Sequence, residues 1–256
     1  MQDQTLTSPP PEKSASQSPE FIVTTKKEGF IALIIGVIHL IVFPLVLTGV
    51  GPYFGLDEPS AMSLLVINAV WLVVVAAVLG FFLKDFLKRS WTAFRANPKG
   101  KFVQLILIAW VLIYVGNIIV NLLIMPAFGI NILDSDTLNT QMGMSTASPV
   151  IMLLMAGILA PVVEETLFRG ALFGRLHLKS PLPAYVISIA LFAFAHVWQF
   201  ALSDPTQLIN ALTWIPMGIG FTFVYRRTGN ILSAITLHML SNIVAISAQI
   251  LLMSIT

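Results

Sequence analysis

The chain has 256 residues, 57% of them hydrophobic and only 10% charged, with no cysteine. Its mean hydropathy of +0.88 is outside the range of a water-soluble domain, where about 25% of residues are charged and about 45–50% apolar. The chain therefore reads as a single-domain polytopic membrane protein without disulfide or thiolate chemistry. Glu, Asp and His are left as its strong metal-ligand types, and the net charge of +2 points to no partner.

Met1 to about Thr25 is rich in Ser, Thr, Pro and Gln and has no apolar period. It has too little to bury to offset the entropy of ordering, so the domain plan is a disordered tail over 1–28 and one transmembrane domain over 29–256. An acidic start with no apolar run before Phe30 argues against a cleaved signal peptide. Seven runs then approach the roughly 20 residues that a spanning helix needs. They are 30–50, 61–83, 102–125, 149–169, 182–203, 207–225 and 230–252. The expected fold class is thus all-α, a bundle of about seven transmembrane helices, with its catalytic core over about 148–250.

All 14 Lys and Arg fall on alternate loops of that seven-span plan, Arg169, Arg175 and Lys179 being assigned to the turn after the fourth span. The opposite loops carry Asp57, Glu58, Asp134, Asp136 and Asp204. The positive-inside rule then predicts a cytoplasmic N-terminus and a multi-pass protein of the cell membrane, the bacterial plasma membrane being expected. Residues 84–101 mix bases with Phe86, Leu87, Trp91 and Phe94, the pattern of an interfacial helix on anionic lipid; a solvated basic loop is the plainer reading. The expected partners are the bilayer and a peptide or membrane-protein substrate, and not nucleic acid.

The informative stretch is Pro161 to Gly170, where Glu164, Glu165 and Arg169 close an apolar run. Charges within a membrane cost about 2.5–3.5 kcal/mol each on insertion scales, so they call for partners. Glu165 and Arg169 are spaced i,i+4 and can pair, leaving Glu164 free to face the bundle. Pro161 predicts a kink in the preceding turn. In the fifth run His196 follows Phe192, and Glu164 and His196 are equally far in sequence from Ser180, which puts them at one depth if the helices continue to that hairpin. In the seventh run His238 and Asn242 share a face.

Glu164, His196, His238 and Asn242 can converge on a water in two ways. Glu164, His196 and His238 can hold a divalent metal such as zinc that acidifies the water. Alternatively Glu164 is the general base, and His238 with Asn242 stabilise the oxyanion. Taken singly, each feature has a plainer reading, as a helix-end charge cluster or as interhelical hydrogen bonding. His39, His177, Asn117 and Asn121 are read as structural.

At these residues the chain resembles the CPBP (Abi) family of CAAX prenyl endopeptidases and bacteriocin-processing enzymes, marked by EExxxR, FxxxH and HxxxN. Here they read Glu164 to Arg169, Phe192 to His196 and His238 to Asn242, in that order. The resemblance implies an intramembrane endopeptidase in which Glu164 and His196 activate water. His238 and Asn242 would hold the oxyanion, with Glu165, Arg169 and Phe192 supporting the site. Metalloprotease and glutamate-type chemistry both stay open, and bacteriocin maturation, immunity or regulatory proteolysis are the associated roles. A non-enzymatic immunity or scaffold protein is the alternative, and a proton-coupled transporter a third.

Overall fold

The computed structural model describes residues 21–56, 59–96 and 99–255, and among them every regular element is helical. Six helices are long and apolar enough to cross a membrane. They are α1 (Lys26–Phe54), α2 (Ala61–Phe82), α4 (Phe102–Ala127), α6 (Pro149–His177), α8 (Pro205–Thr228) and α9 (Ile231–Ile255). Between them lie α3 (Lys84–Ala96), α5 (Asp136–Ala147) and α7 (Pro181–Ala195).

The fifth expected run, 182–203, is met by a shorter and broken helix. Helix α7 has 15 residues, about 22 Å at the α-helical rise, short of the roughly 30 Å hydrocarbon core. Its end has a local cause. His196 turns its ring Nδ1–H onto the Phe192 carbonyl at 2.8 Å, the acceptor that its own backbone N–H would use to continue the helix. That N–H goes to Ala193 O instead. A turn and the short helix Trp198–Ala201 follow, and α8 then opens with a 3₁₀ segment, Pro205–Trp214, capped by Asp204. Thr206, through its hydroxyl and then its N–H, holds the exposed Asp204 carboxyl below the usual carboxylate range.

Three spanning helices contain a π turn, and each ends two residues before a proline. The turns are Ile38–Val42 before Pro44, Val120–Ile124 before Pro126, and Met155–Leu159 before Pro161. Proline has no N–H to donate and its ring crowds the carbonyl four residues back, so one widened turn accommodates it. The disturbance expected at Pro161 is thus a π turn. A second π stretch in α6, Thr166–Phe173, contains no proline. Two of its carbonyls are satisfied from outside, Phe168 O by Ser188 Oγ at 3.2 Å and Gly170 O by Thr24 Oγ1 at 3.1 Å.

Two boundaries also move. Residues up to Glu20 of the expected tail lie outside the described residues, but 21–25 are strapped across the bundle. Ile22 N–H bonds Gly229 O at 2.9 Å, Tyr225 Oη donates to Ile22 O at 2.6 Å, and Arg175 donates to Thr24 O at 3.2 Å. Thr25 and Glu28 then form a capping box that starts α1. The helix expected over 84–101 is described as far as Ala96, and Lys99 already lies in the next described helix. Phe86 is not in the headgroup layer: it is wholly buried against Gly170. Trp91, 55% exposed, stays on the outer face of the helix.

Helix α8 sits against both α4 and α7 because its small residues permit it. A Cβ on Gly116 would lie 2.9 Å from the Pro216 ring, and one on Gly218 3.1 Å from Ile189. The proline ring cannot rotate away. Gly116→Ala is therefore expected to destabilise the folded protein by about 1–3 kcal/mol. Gly80→Ala, with nothing within 4 Å of the added carbon, should be neutral or slightly stabilising. Thermal unfolding in detergent, comparing the two variants with the parent, measures the difference.

Candidate active site

The site is built around a guanidinium placed where water does not reach. Arg169 is wholly buried in α6, not in a loop after it, which removes it from the positive-inside count. Its NH1 donates to Glu165 Oε1 at 3.0 Å, NH2 to Gly218 O at 3.1 Å and Nε to Thr222 Oγ1 at 3.4 Å. The planar group lies over the Phe192 ring, 4.2 Å from its centroid. A buried charge is tolerated when it is paired and its donors are matched, and this arrangement does both.

Glu165 is more than the arginine's counter-ion. Its Oε1 also stands 2.8 Å from His238 Nδ1. An ionised carboxylate can only accept, so Nδ1 carries the proton and His238 presents Nε2 as a lone pair. His196 is fixed likewise, because its Nδ1 faces a carbonyl and must donate. Each imidazole is held flat by an aromatic: His238 stacks on Phe221 with centroids 4.3 Å apart, His196 on Trp214 at 3.7 Å.

Both free Nε2 atoms approach the same oxygen. Glu164 Oε2 stands 3.7 Å from His196 Nε2 and 4.0 Å from His238 Nε2. It is buried without a hydrogen-bond partner among the described residues. Three acceptors facing one another call for a donor between them, and the spacing suits a water, which would donate to two of the three. The common depth expected of Glu164 and His196 is met, since α6 does continue to His177.

Asn242 is placed differently from the other sequence-derived residues. Its Nδ2 donates to Ala156 O at 2.8 Å, in the π turn ahead of Pro161. Ala160 N–H reaches back to Met155 O, and Pro161 has no N–H, so Ala156 O is left for an outside donor. One of the two Asn242 N–H groups is thereby spent on the backbone of α6.

The donor set, one carboxylate oxygen and two imidazole nitrogens, is of a kind that zinc takes. The spacing as it stands does not fit. Ligands about 2.0–2.1 Å from a tetrahedral zinc would be about 3.4 Å apart, and these are wider. Among the described residues no group of three or more His, Cys, Asp or Glu is set to hold a metal ion.

Four residues of α8 had no role in the sequence reading: Trp214, Gly218, Phe221 and Thr222. They stack on the imidazoles or accept from Arg169. The usable signal was the run of small and hydroxyl residues Gly218, Gly220 and Thr222 in an otherwise bulky span. His39 accepts from Trp71 Nε1 at 2.9 Å and His177 from Arg226 Nε at 2.7 Å, in keeping with structural roles.

Residues 146–244 match the family model described as "Type II CAAX prenyl endopeptidase Rce1-like". The match lies on the part of the chain that carries the three motifs. The matched segment contains Glu164, Glu165, Arg169, Phe192, His196, His238 and Asn242. The chain is also 30% identical over 114 residues to the Bacillus subtilis (strain 168) protein named "Putative membrane peptidase YdiL". That alignment covers 44% of this chain and 43% of the relative. No solved structure matches. The similarity to the family model and the six long apolar helices among the described residues together support a multi-pass membrane protein.

The network predicts a strong coupling that is independent of any activity. Arg169→Met leaves Glu165 charged and buried and should cost about 3–5 kcal/mol of stability. Adding Glu165→Gln to Arg169→Met should restore part of that loss, because the orphaned charge is gone. Unfolding curves of the two single variants and the double variant measure the coupling.

Proposed function

We propose that the protein is an intramembrane endopeptidase that hydrolyses a peptide bond of a membrane-associated peptide or protein. The observation that carries this is the convergence of Glu164 Oε2 with the unprotonated Nε2 atoms of His196 and His238. The similarity of the segment to the CAAX endopeptidase family model supports the reaction class.

A water held between these three atoms has its proton drawn towards Glu164, a carboxylate without a competing donor. The water oxygen then forms a bond to the scissile carbonyl carbon. The second N–H of Asn242 acts on the oxyanion, while His196 and His238, each with Nε2 unprotonated, hold the attacking water. Glu164 returns the abstracted proton to the leaving amine as the C–N bond breaks, and ends as a carboxylate. Glu165 accepts the His238 Nδ1–H, which leaves Nε2 unprotonated, and Arg169 pairs with Glu165. The N-terminus is assigned to the cytoplasm of a bacterial plasma membrane, and the substrate roles that fit are peptide maturation, immunity or regulatory proteolysis.

Glu164→Gln and His196→Ala should each reduce turnover by about 10²–10⁴-fold while leaving protein levels in the membrane unchanged. The readout is the membrane peptidome of cells carrying parent or variant: peptides that accumulate only with the parent are the products. An unchanged peptidome would favour the non-enzymatic scaffold reading. Metal content of the active purified protein, with activity before and after chelation, tests the divalent ion expected from the donor types. Activity in metal-free protein supports the glutamate-type route.

A further inference from the structure

A second concave feature lies away from the catalytic groups, between the strap 21–25 and α3. It is a cavity of about 590 Å³ lined by Phe21, Ile22, Val23, Lys88, Arg89 and Thr92, with Ala93 and Ala96 at its rim. One wall is the apolar edge of the strap, and the other carries two cations and a hydroxyl. Arg89 is half-committed: its NH2 donates to Glu28 Oε2 at 3.2 Å and to Val23 O at 3.3 Å. Lys88 is exposed and has no partner among the described residues.

The position of this cavity fixes what can reach it. Helix α3 joins the ends of two spanning helices, α2 and α4, so it lies along one membrane face. Phe86 and Ser90 are buried against the bundle, while Trp91 faces outward. A headgroup from the adjoining leaflet could place its phosphate on Lys88, Arg89 and Thr92 and its glycerol region on Phe21 and Val23. An apolar wall has no use for a free phosphate ion but suits the upper part of a lipid.

We propose that the cavity between the strap and α3 is a binding site for the headgroup of an anionic phospholipid. The inference does not depend on the peptidase reading. The site is tied to the catalytic helix all the same. The strap hydroxyl of Thr24 bonds Gly170 O, one residue beyond Arg169, and Glu28 also accepts from Phe86 N–H at 3.1 Å. A lipid seated there tightens the strap against the π stretch of α6.

The test uses the full chain in nanodiscs of phosphatidylcholine with or without phosphatidylglycerol, and counts lipid retained on the protein by native mass spectrometry. Lys88→Gln should reduce retained phosphatidylglycerol about five-fold. It should also abolish the rise in unfolding midpoint that this lipid gives the parent. Arg95→Gln, on the same helix but outside the cavity, should change retention less than about two-fold. Both variants should unfold at the parent's midpoint in phosphatidylcholine alone, which shows that the fold is intact. Equal losses for Lys88→Gln and Arg95→Gln would mean diffuse attraction and overturn the site. Displacement of the lipid by millimolar inorganic phosphate would also overturn it, by reassigning the cavity to a soluble anion.

Discussion

The ion pair between Arg169 and Glu165, deep in an apolar bundle, is the constraint on which the rest of the site depends. An unpaired charge there would cost several kcal/mol, so both groups must be satisfied in the folded state. Satisfying Arg169 takes the Gly218 carbonyl and the Thr222 hydroxyl, which fixes α8 against α6. Satisfying Glu165 takes His238, which fixes α9. The guanidinium's flat face takes Phe192, which fixes α7 and, through the Phe192 carbonyl, the ring of His196. One buried pair therefore sets the register of four helices.

The adjacent carboxylates divide because of helix geometry. Consecutive residues point about 100° apart, so only one of them can face Arg169 and His238. Glu165 does, and it is wholly buried. Glu164 is left with an oxygen that has no partner among the described residues, opposite two imidazole lone pairs. An unsatisfied buried acceptor destabilises the resting fold, which makes it a site for a polar guest. The π turns serve the same end. The turn before Pro161 frees Ala156 O for Asn242, and the stretch Thr166–Phe173 turns Arg169 wholly into the bundle.

The central chemistry was legible in the sequence because it depends on spacing within helices. The i,i+4 relation of Glu165 to Arg169, and the symmetric placing of Glu164 and His196 about Ser180, follow from rise per residue alone. What could not be read was set by contacts between helices. Hydropathy counts the run 182–203 as a span, but it cannot show that the His196 side chain takes the Phe192 carbonyl and ends α7. A charge count puts Arg169 in a loop, since it cannot see that Gly218 and Thr222 on a distant helix accept from it. The strap at 21–25 reads as tail because its short apolar run, Phe21 to Val23, follows twenty residues rich in Ser, Pro and Gln. It is held by backbone groups of Ile22 and Thr24, which composition does not register.

The division of labour between Glu164 and Glu165 is tested most directly by the unfolding midpoints of Glu164→Gln and Glu165→Gln, compared in one detergent at neutral pH. Glu164→Gln removes a carboxylate whose Oε2 accepts no hydrogen bond among the described residues, and its midpoint should match or slightly exceed that of the parent. Glu165→Gln leaves Arg169 without a counter-charge and should unfold well below it. Equal midpoints for the two variants, or a larger loss in Glu164→Gln, would contradict the account.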